Sequence, residues 1–73
     1  MLRQKVFEEI RRQKIVPNGR WLPNQYNVFY SDLEYTQKQN FAEAMNKLCE
    51  EGFFRLEYDY YVLTEKRAQT IYN

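Results

Sequence analysis

Between Thr36 and Glu51 the chain places Gln37, Lys38, Gln39, Asn40, Asn46 and Lys47 within little more than three helical turns. Gln and Asn carry a donor and an acceptor side by side, the geometry that pairs with an adenine edge, while a lysine can meet guanine or phosphate. The start of a helix adds a preference for a phosphate oxygen. A second set of cations, Arg11, Arg12, Lys14 and Arg20, with Lys5 as an extension, could grip phosphates flanking such a helix, and Arg55 lies in the segment after it. The opposing reading is a plain solvated face, because Gln, Asn, Lys and Glu are what any exposed helix displays. Glu43 and Glu50 fall on the same face and would approach phosphates. Glu57 and Asp59 stand further on, where phosphate gripping would want cations. Non-specific affinity comes almost wholly from cation contacts, so these acids set the limit on binding.

The charge is unevenly divided. Residues 1–20 hold six basic and two acidic side chains, a balance of +4, and residues 21–73 hold five basic and eight acidic, a balance of −3. The positive potential therefore belongs to the first helix and the segment after it. An alternative use for Arg11 or Arg12 is intramolecular: Glu50 and Glu51 sit at the negative end of a helix dipole, and an arginine beside them would neutralise the arrangement.

Other chemistry lacks its residues. The chain has no His and a single Cys49, so neither a Ser-His or Cys-His nucleophile nor a zinc site can be assembled. The only glycines are Gly19 and Gly52, which excludes a Gly-rich phosphate loop. Paired acids such as Asp32 with Glu34 fall at helix ends, where capping explains them. No enzyme activity, cofactor or metal is expected. Met1 to Ile15 mixes charges into its apolar positions, unlike a leader peptide, and no apolar run nears the roughly 18 residues of a bilayer span. A reducing, cytoplasmic setting without membrane partners is expected.

Seventy-three residues suit one domain with one core, residues 1–73. Seven Tyr and five Phe supply large buried areas for so short a chain. Leu2, Val6, Phe7 and Ile10 predict a first helix from about Leu2 to Gln13. Pro17-Asn18-Gly19 predicts a turn in which Asn and Gly tolerate positive φ, followed by a short extended Arg20-Trp21-Leu22 that Pro23 holds extended. Tyr26, Phe29, Tyr30 and Leu33 share one helical face, which predicts a second helix from about Asn24, its cap, to Leu33. The competing reading begins a helical turn at Ser31 and leaves 24–30 irregular.

Thr36 with Gln39 fits the capping box of a third helix ending at Glu51, with Phe41, Ala44, Met45, Leu48 and Cys49 inward and Gly52 as a left-handed cap. Two strands follow within Phe53 to Leu63. Phe54, Leu56, Tyr58, Tyr61 and Leu63 are expected inward, and Asp59 is expected at positive φ in the turn. Thr64 would cap a last short helix burying Ala68 and Ile71, with Tyr72 as a further candidate. Trp21 is expected to plug the core between sheet and first helix. Tyr58, Tyr60 and Tyr61 could form a stacking platform for bases or an adhesive patch for a protein, or pack with their hydroxyls at the surface.

The order of helix, helix, turn, helix and hairpin, with Leu48-Cys49-Glu50-Glu51-Gly52-Phe53-Phe54 leading into the hairpin and Leu63-Thr64-Glu65-Lys66 opening the last helix, resembles the winged helix-turn-helix family. It is similar to the family's small single-domain prokaryotic or viral members. The resemblance implies an α+β fold, a three-helix bundle with a short β-hairpin wing and a C-terminal helical turn. It implies a transcriptional regulator, as a monomer or a homodimer, that inserts the 36–51 helix in the major groove of double-stranded DNA. Gln37, Lys38, Gln39, Asn40, Asn46 and Lys47 would face the groove, and Arg11, Arg12, Lys14, Arg20 and Arg55 the backbone. The alternative on the same fold is a protein-protein interaction module using the Tyr-rich hairpin or the acidic helix face.

Overall fold

Trp21 shows how the layers meet. In the computed structural model, which describes residues 2–73, its side chain is 1% exposed, with ring centroids of Tyr26, Phe29, Phe54 and Tyr61 at 5.7, 5.6, 6.3 and 6.2 Å. These rings belong to the second helix and the sheet, so the indole wedges those two together. It shares one buried cluster with Val6, Phe7 and Ile10 of the first helix. Its Nε1 finds no acceptor among the described residues, a cost of about 1–3 kcal/mol that the ring's burial must offset.

The described residues form an α+β domain of four helices and one three-stranded antiparallel sheet, in the order α1 (Leu2–Arg12), β1 (Arg20–Trp21), α2 (Pro23–Ser31), α3 (Tyr35–Glu50), β2 (Phe54–Glu57), β3 (Tyr60–Leu63) and α4 (Glu65–Tyr72). The strands lie in the order β1-β3-β2, so the middle strand is the last in sequence. No described helix is long and apolar enough to cross a membrane.

Val6, Phe7 and Ile10 bury the face of α1 as their spacing predicts. Lys14 and Asn18 then take positive φ, 56° and 66°. Gly19 serves differently from expectation: its φ is ordinary, but a Cβ there would lie 2.7 Å from the Val16 carbonyl oxygen, so the turn closes only on a bare Cα. The Asn18 N–H donates to Leu63 O and the Leu63 N–H to Gly19 O, which carries the chain onto the sheet ahead of β1.

Helix α2 exists as one helix, so the irregular alternative for residues 24–30 does not hold. It starts at Pro23 rather than at an Asn24 cap, because proline suits the first helical position and the preceding Leu22 is extended at ψ 158°. The Leu22 N–H donates to Gln25 Oε1 at 2.8 Å, in place of any Asn24 side-chain cap. Leu33, expected inside α2, is buried just beyond its end. Tyr30 stays exposed.

Anchoring Leu33 in the core forces the chain to turn at once, and α3 therefore begins at Tyr35 with Glu34 as its cap residue. The expected Thr36–Gln39 box is replaced by Glu34 and Gln37: Gln37 Oε1 accepts the Glu34 N–H at 3.2 Å. Phe41, Met45 and Leu48 are buried as expected. At the other end Gly52 has φ 86°, its N–H donates to Cys49 O at 3.0 Å, and the Phe53 N–H donates to Leu48 O at 2.9 Å. This paired closure is the Schellman motif, with buried Phe53 and Leu48 making its apolar contact.

Two expectations for the hairpin are corrected. Tyr58, not Asp59, takes the left-handed φ of 55°. Leu56 and Tyr58 are 55% and 93% exposed, since the hairpin outruns the helices that would cover it. Val62 is buried from the opposite face, between its cross-strand neighbours Arg20 and Arg55, whose aliphatic stems can cover it. Thr64 precedes α4, but its hydroxyl donates to Gly52 O rather than capping the helix. Ala68 and Ile71 are buried. Trp21→Ala should cost about 3–5 kcal/mol in urea unfolding, whereas Leu56→Ala should stay within about 0.5 kcal/mol.

Candidate nucleic-acid interface

The centre of the exposed face of α3 follows from 100° per residue away from Phe41, Met45 and Leu48. It runs through Tyr35, Gln39, Glu43, Asn46 and Glu50, flanked by Thr36, Asn40 and Lys47, all of them exposed. The sequence-derived groove set is thus divided. Gln39, Asn40, Asn46 and Lys47 lie on or beside this face, while Gln37 and Lys38 sit half-buried on its two flanks.

Gln37 is committed to structure. Besides holding the Glu34 N–H, its Oε1 accepts from Lys5 Nζ at 3.3 Å, so it joins the α3 start to α1. Lys38 leans the other way, its Nζ 5.8 Å from the Tyr30 ring centroid on α2. Gln39 Nε2 donates to the Tyr35 hydroxyl at 3.0 Å, one turn back along the helix. Tyr35 is 75% exposed and was missed because the helix was expected to start one residue later. Its i,i+4 spacing to Gln39 was the available signal. Asn40, Glu43, Ala44 and Lys47 line a shallow groove closed by Leu2 of α1.

The proposed backbone cations have partners of their own. Arg11 Nη1 donates to Ile71 O at 2.7 Å, at the carbonyl end of α4. Arg12 pairs with Glu9 through Nε at 3.0 Å and Nη2 at 2.6 Å. Arg20 lies 5.0 Å from the Tyr60 ring centroid, and Arg55 Nε binds Glu57 at 3.0 Å. Lys14 is exposed at the end of α1. These residues are not gathered beside α3: Arg11 and Arg12 end α1, whereas Arg20 and Arg55 flank β3 on the sheet's outer face.

The arginine expected against Glu50 or Glu51 turns out to be Arg3. It grips Glu51 in two bonds, Nη2–Oε1 at 2.7 Å and Nη1–Oε2 at 3.0 Å, and its guanidinium lies 5.2 Å from the Phe53 ring centroid. Arg67 stacks on the same ring at 5.1 Å and donates from Nε to Glu51 O at 3.2 Å. Hydrogen bonding from Arg3 holds the Glu51 carboxyl below its ordinary range, and hydrogen bonding from Arg12 does the same for Glu9.

Of the three candidate platform tyrosines, Tyr58 and Tyr60 stand together at 6.2 Å on the hairpin, while Tyr61 faces inward and packs edge-on against Tyr26 at 5.4 Å. The Tyr26 hydroxyl donates to Asp59 O, tying the hairpin tip to α2. Burial raises the Cys49 thiol, which disfavours the thiolate a nucleophile requires. No known family, curated protein or solved structure matches this chain.

The lowered carboxyls of Glu9 and Glu51 set the direction of the acid response. Their contribution is complete above the ordinary carboxylate value of 4.5 and is lost as pH falls through their lowered folded-state values. Urea midpoints should therefore hold from neutrality down to that range and fall below it. The fall should be shallower in a Glu9→Gln, Glu51→Gln double variant.

Proposed function

We propose that this chain is a winged-helix DNA-binding domain, a transcriptional regulator in which the N-terminal half of α3 enters the major groove. The supporting observation is the connectivity. A helix, a short strand, two helices and a hairpin follow one another, the three strands pair in the order β1-β3-β2, and α3 packs against β2 with one polar face in solvent. That is the order the resemblance implies, with β2 and β3 as the wing.

The distribution of charge along α3 selects the half that meets DNA. Tyr35, Thr36, Gln39 and Asn40 make an uncharged, hydrogen-bonding surface over the first turns, while Glu43 sits at mid-helix, one turn beyond Gln39, and Glu50 closes the C-terminal end. Lys5 and Lys38 stand on either side of the helix start, where the dipole also favours phosphate. Gln39 and Asn40 read base edges, Lys5 and Lys38 meet flanking phosphates, and Gln37 positions Lys5. Arg11, Arg12 and Arg55 would have to leave internal partners to reach DNA, so they contribute little.

A second reading, recognition of a protein through the hairpin, is favoured by the exposed Tyr58 and Leu56 and by the internal pairing of most arginines.

Fluorescence anisotropy with a mixed-sequence duplex separates the two. With two lysine–phosphate contacts, log K should fall against log salt with a slope of about −2. Glu43→Lys should tighten binding about tenfold at low salt and steepen the slope by about one. Lys5→Glu and Lys38→Glu should each weaken it. An absence of binding at low ionic strength, or indifference to Glu43→Lys, would remove the DNA reading.

A further inference from the structure

Strand β2 is an edge: β3 pairs with one side of it, and no described strand pairs with the other. Which of its backbone groups face that open side follows from the alternation of an antiparallel ladder. The Leu63 N–H and C=O are both engaged on the β1 side, by Gly19 and Asn18. Leu63 and Tyr61 therefore point towards β1, and Val62 and Tyr60 towards β2. Their partners Arg55 and Glu57 spend their backbone groups inside the sheet, which leaves the N–H and C=O of Phe54 and Leu56 directed out of the edge.

The side chains along this edge are self-complementary. Leu56 is 55% exposed on one face. Arg55 and Glu57 stand on the other, joined to each other at 3.0 Å, with side chains 52% and 41% exposed. A strand reading Arg-Leu-Glu pairs with itself in opposite direction so that each charge meets its opposite.

We propose that a second copy of this chain docks on β2, antiparallel, with the two-fold axis at Leu56. Leu56 and the partner's Leu56 then form a hydrogen-bonded pair, exchanging the two N–H···O=C bonds their outward groups offer. Arg55 faces the partner's Glu57 and Glu57 the partner's Arg55, as non-hydrogen-bonded pairs, where Cα atoms approach to about 4.5 Å. Charges selects this register. Centring on Arg55 would set arginine against arginine, centring on Glu57 would set glutamate against glutamate, and a slip of one residue would turn the side chains to opposite faces. Edge strands that resist pairing carry charges that repel a second copy, whereas these attract it. The product is a continuous six-stranded sheet with both exposed Leu56 side chains against each other and both helical layers on one face. The docking stands on the sheet edge alone and does not depend on DNA binding.

Sedimentation equilibrium from micromolar to millimolar protein should show the mass rising from monomer to dimer. Arg55→Glu and Glu57→Arg, each of which creates a like-charged facing, should each weaken the dimer by at least about tenfold. The double variant, Arg55→Glu with Glu57→Arg, should restore it. Far-UV circular dichroism and urea midpoints establish that all three variants are folded. A wild-type chain monomeric throughout, single variants that associate like wild type, or a folded double variant that stays monomeric would each overturn the proposal.

Discussion

The turn at Gly52 governs the architecture. Its left-handed backbone, unfavourable by roughly 1–2 kcal/mol for a residue with a side chain, reverses the chain directly from α3 into β2 and sets the angle between α3 and the hairpin. Phe53, the residue after it, locks that angle. Its ring is 3% exposed, 5.1 Å from Phe7, with the guanidiniums of Arg3 and Arg67 over it, and both arginines also bind Glu51. One residue thus joins α1, α3 and α4, and the charged groups around it are held by geometry rather than by burial. Exposed pairs of this kind contribute little individually, so the apolar seat of Phe53 carries the stabilisation and the arginines fix its orientation.

The same economy explains the scarcity of free cations. Arg3, Arg11, Arg12 and Arg55 close helix ends or balance neighbouring carboxylates. A small domain with little core to spare uses long arginine stems and forked hydrogen bonds to tie its elements together. What remains beside α3 is a short uncharged stretch with lysines at its flanks. The proposed DNA contact is therefore one of few phosphates, and the proposed edge pairing of β2 would supply a second copy of it.

Much of the fold was legible in the chain. The apolar spacing of Val6, Phe7 and Ile10, and of Phe41, Met45 and Leu48, located two helices and their inward faces, and Gly52 marked the end of α3. The start of α3 was not, because Glu34 with Gln37 and Thr36 with Gln39 share one spacing and only the burial of Leu33 decides between them. That two-residue shift of the cap hid Tyr35 and moved Gln37 from the groove to the cap. The turn residue was misplaced because propensity favours Asp at positive φ, while the register of Glu57 with Tyr60 leaves that position to Tyr58. Long-range partners such as Ile71 O for Arg11 leave no trace in local sequence, so the loss of the arginine cluster from the candidate interface could be seen only in three dimensions.

We propose that α3, held by the Gly52 turn, presents its first two turns to a DNA groove. The most direct measurement is a titration of 15N-labelled protein with a short duplex at low salt, followed by amide chemical shifts. The account predicts shifts concentrated at Tyr35, Thr36, Gln39, Asn40 and Lys5, with the hairpin tip little affected. Shifts confined to residues 55–60, or none at all, would contradict it.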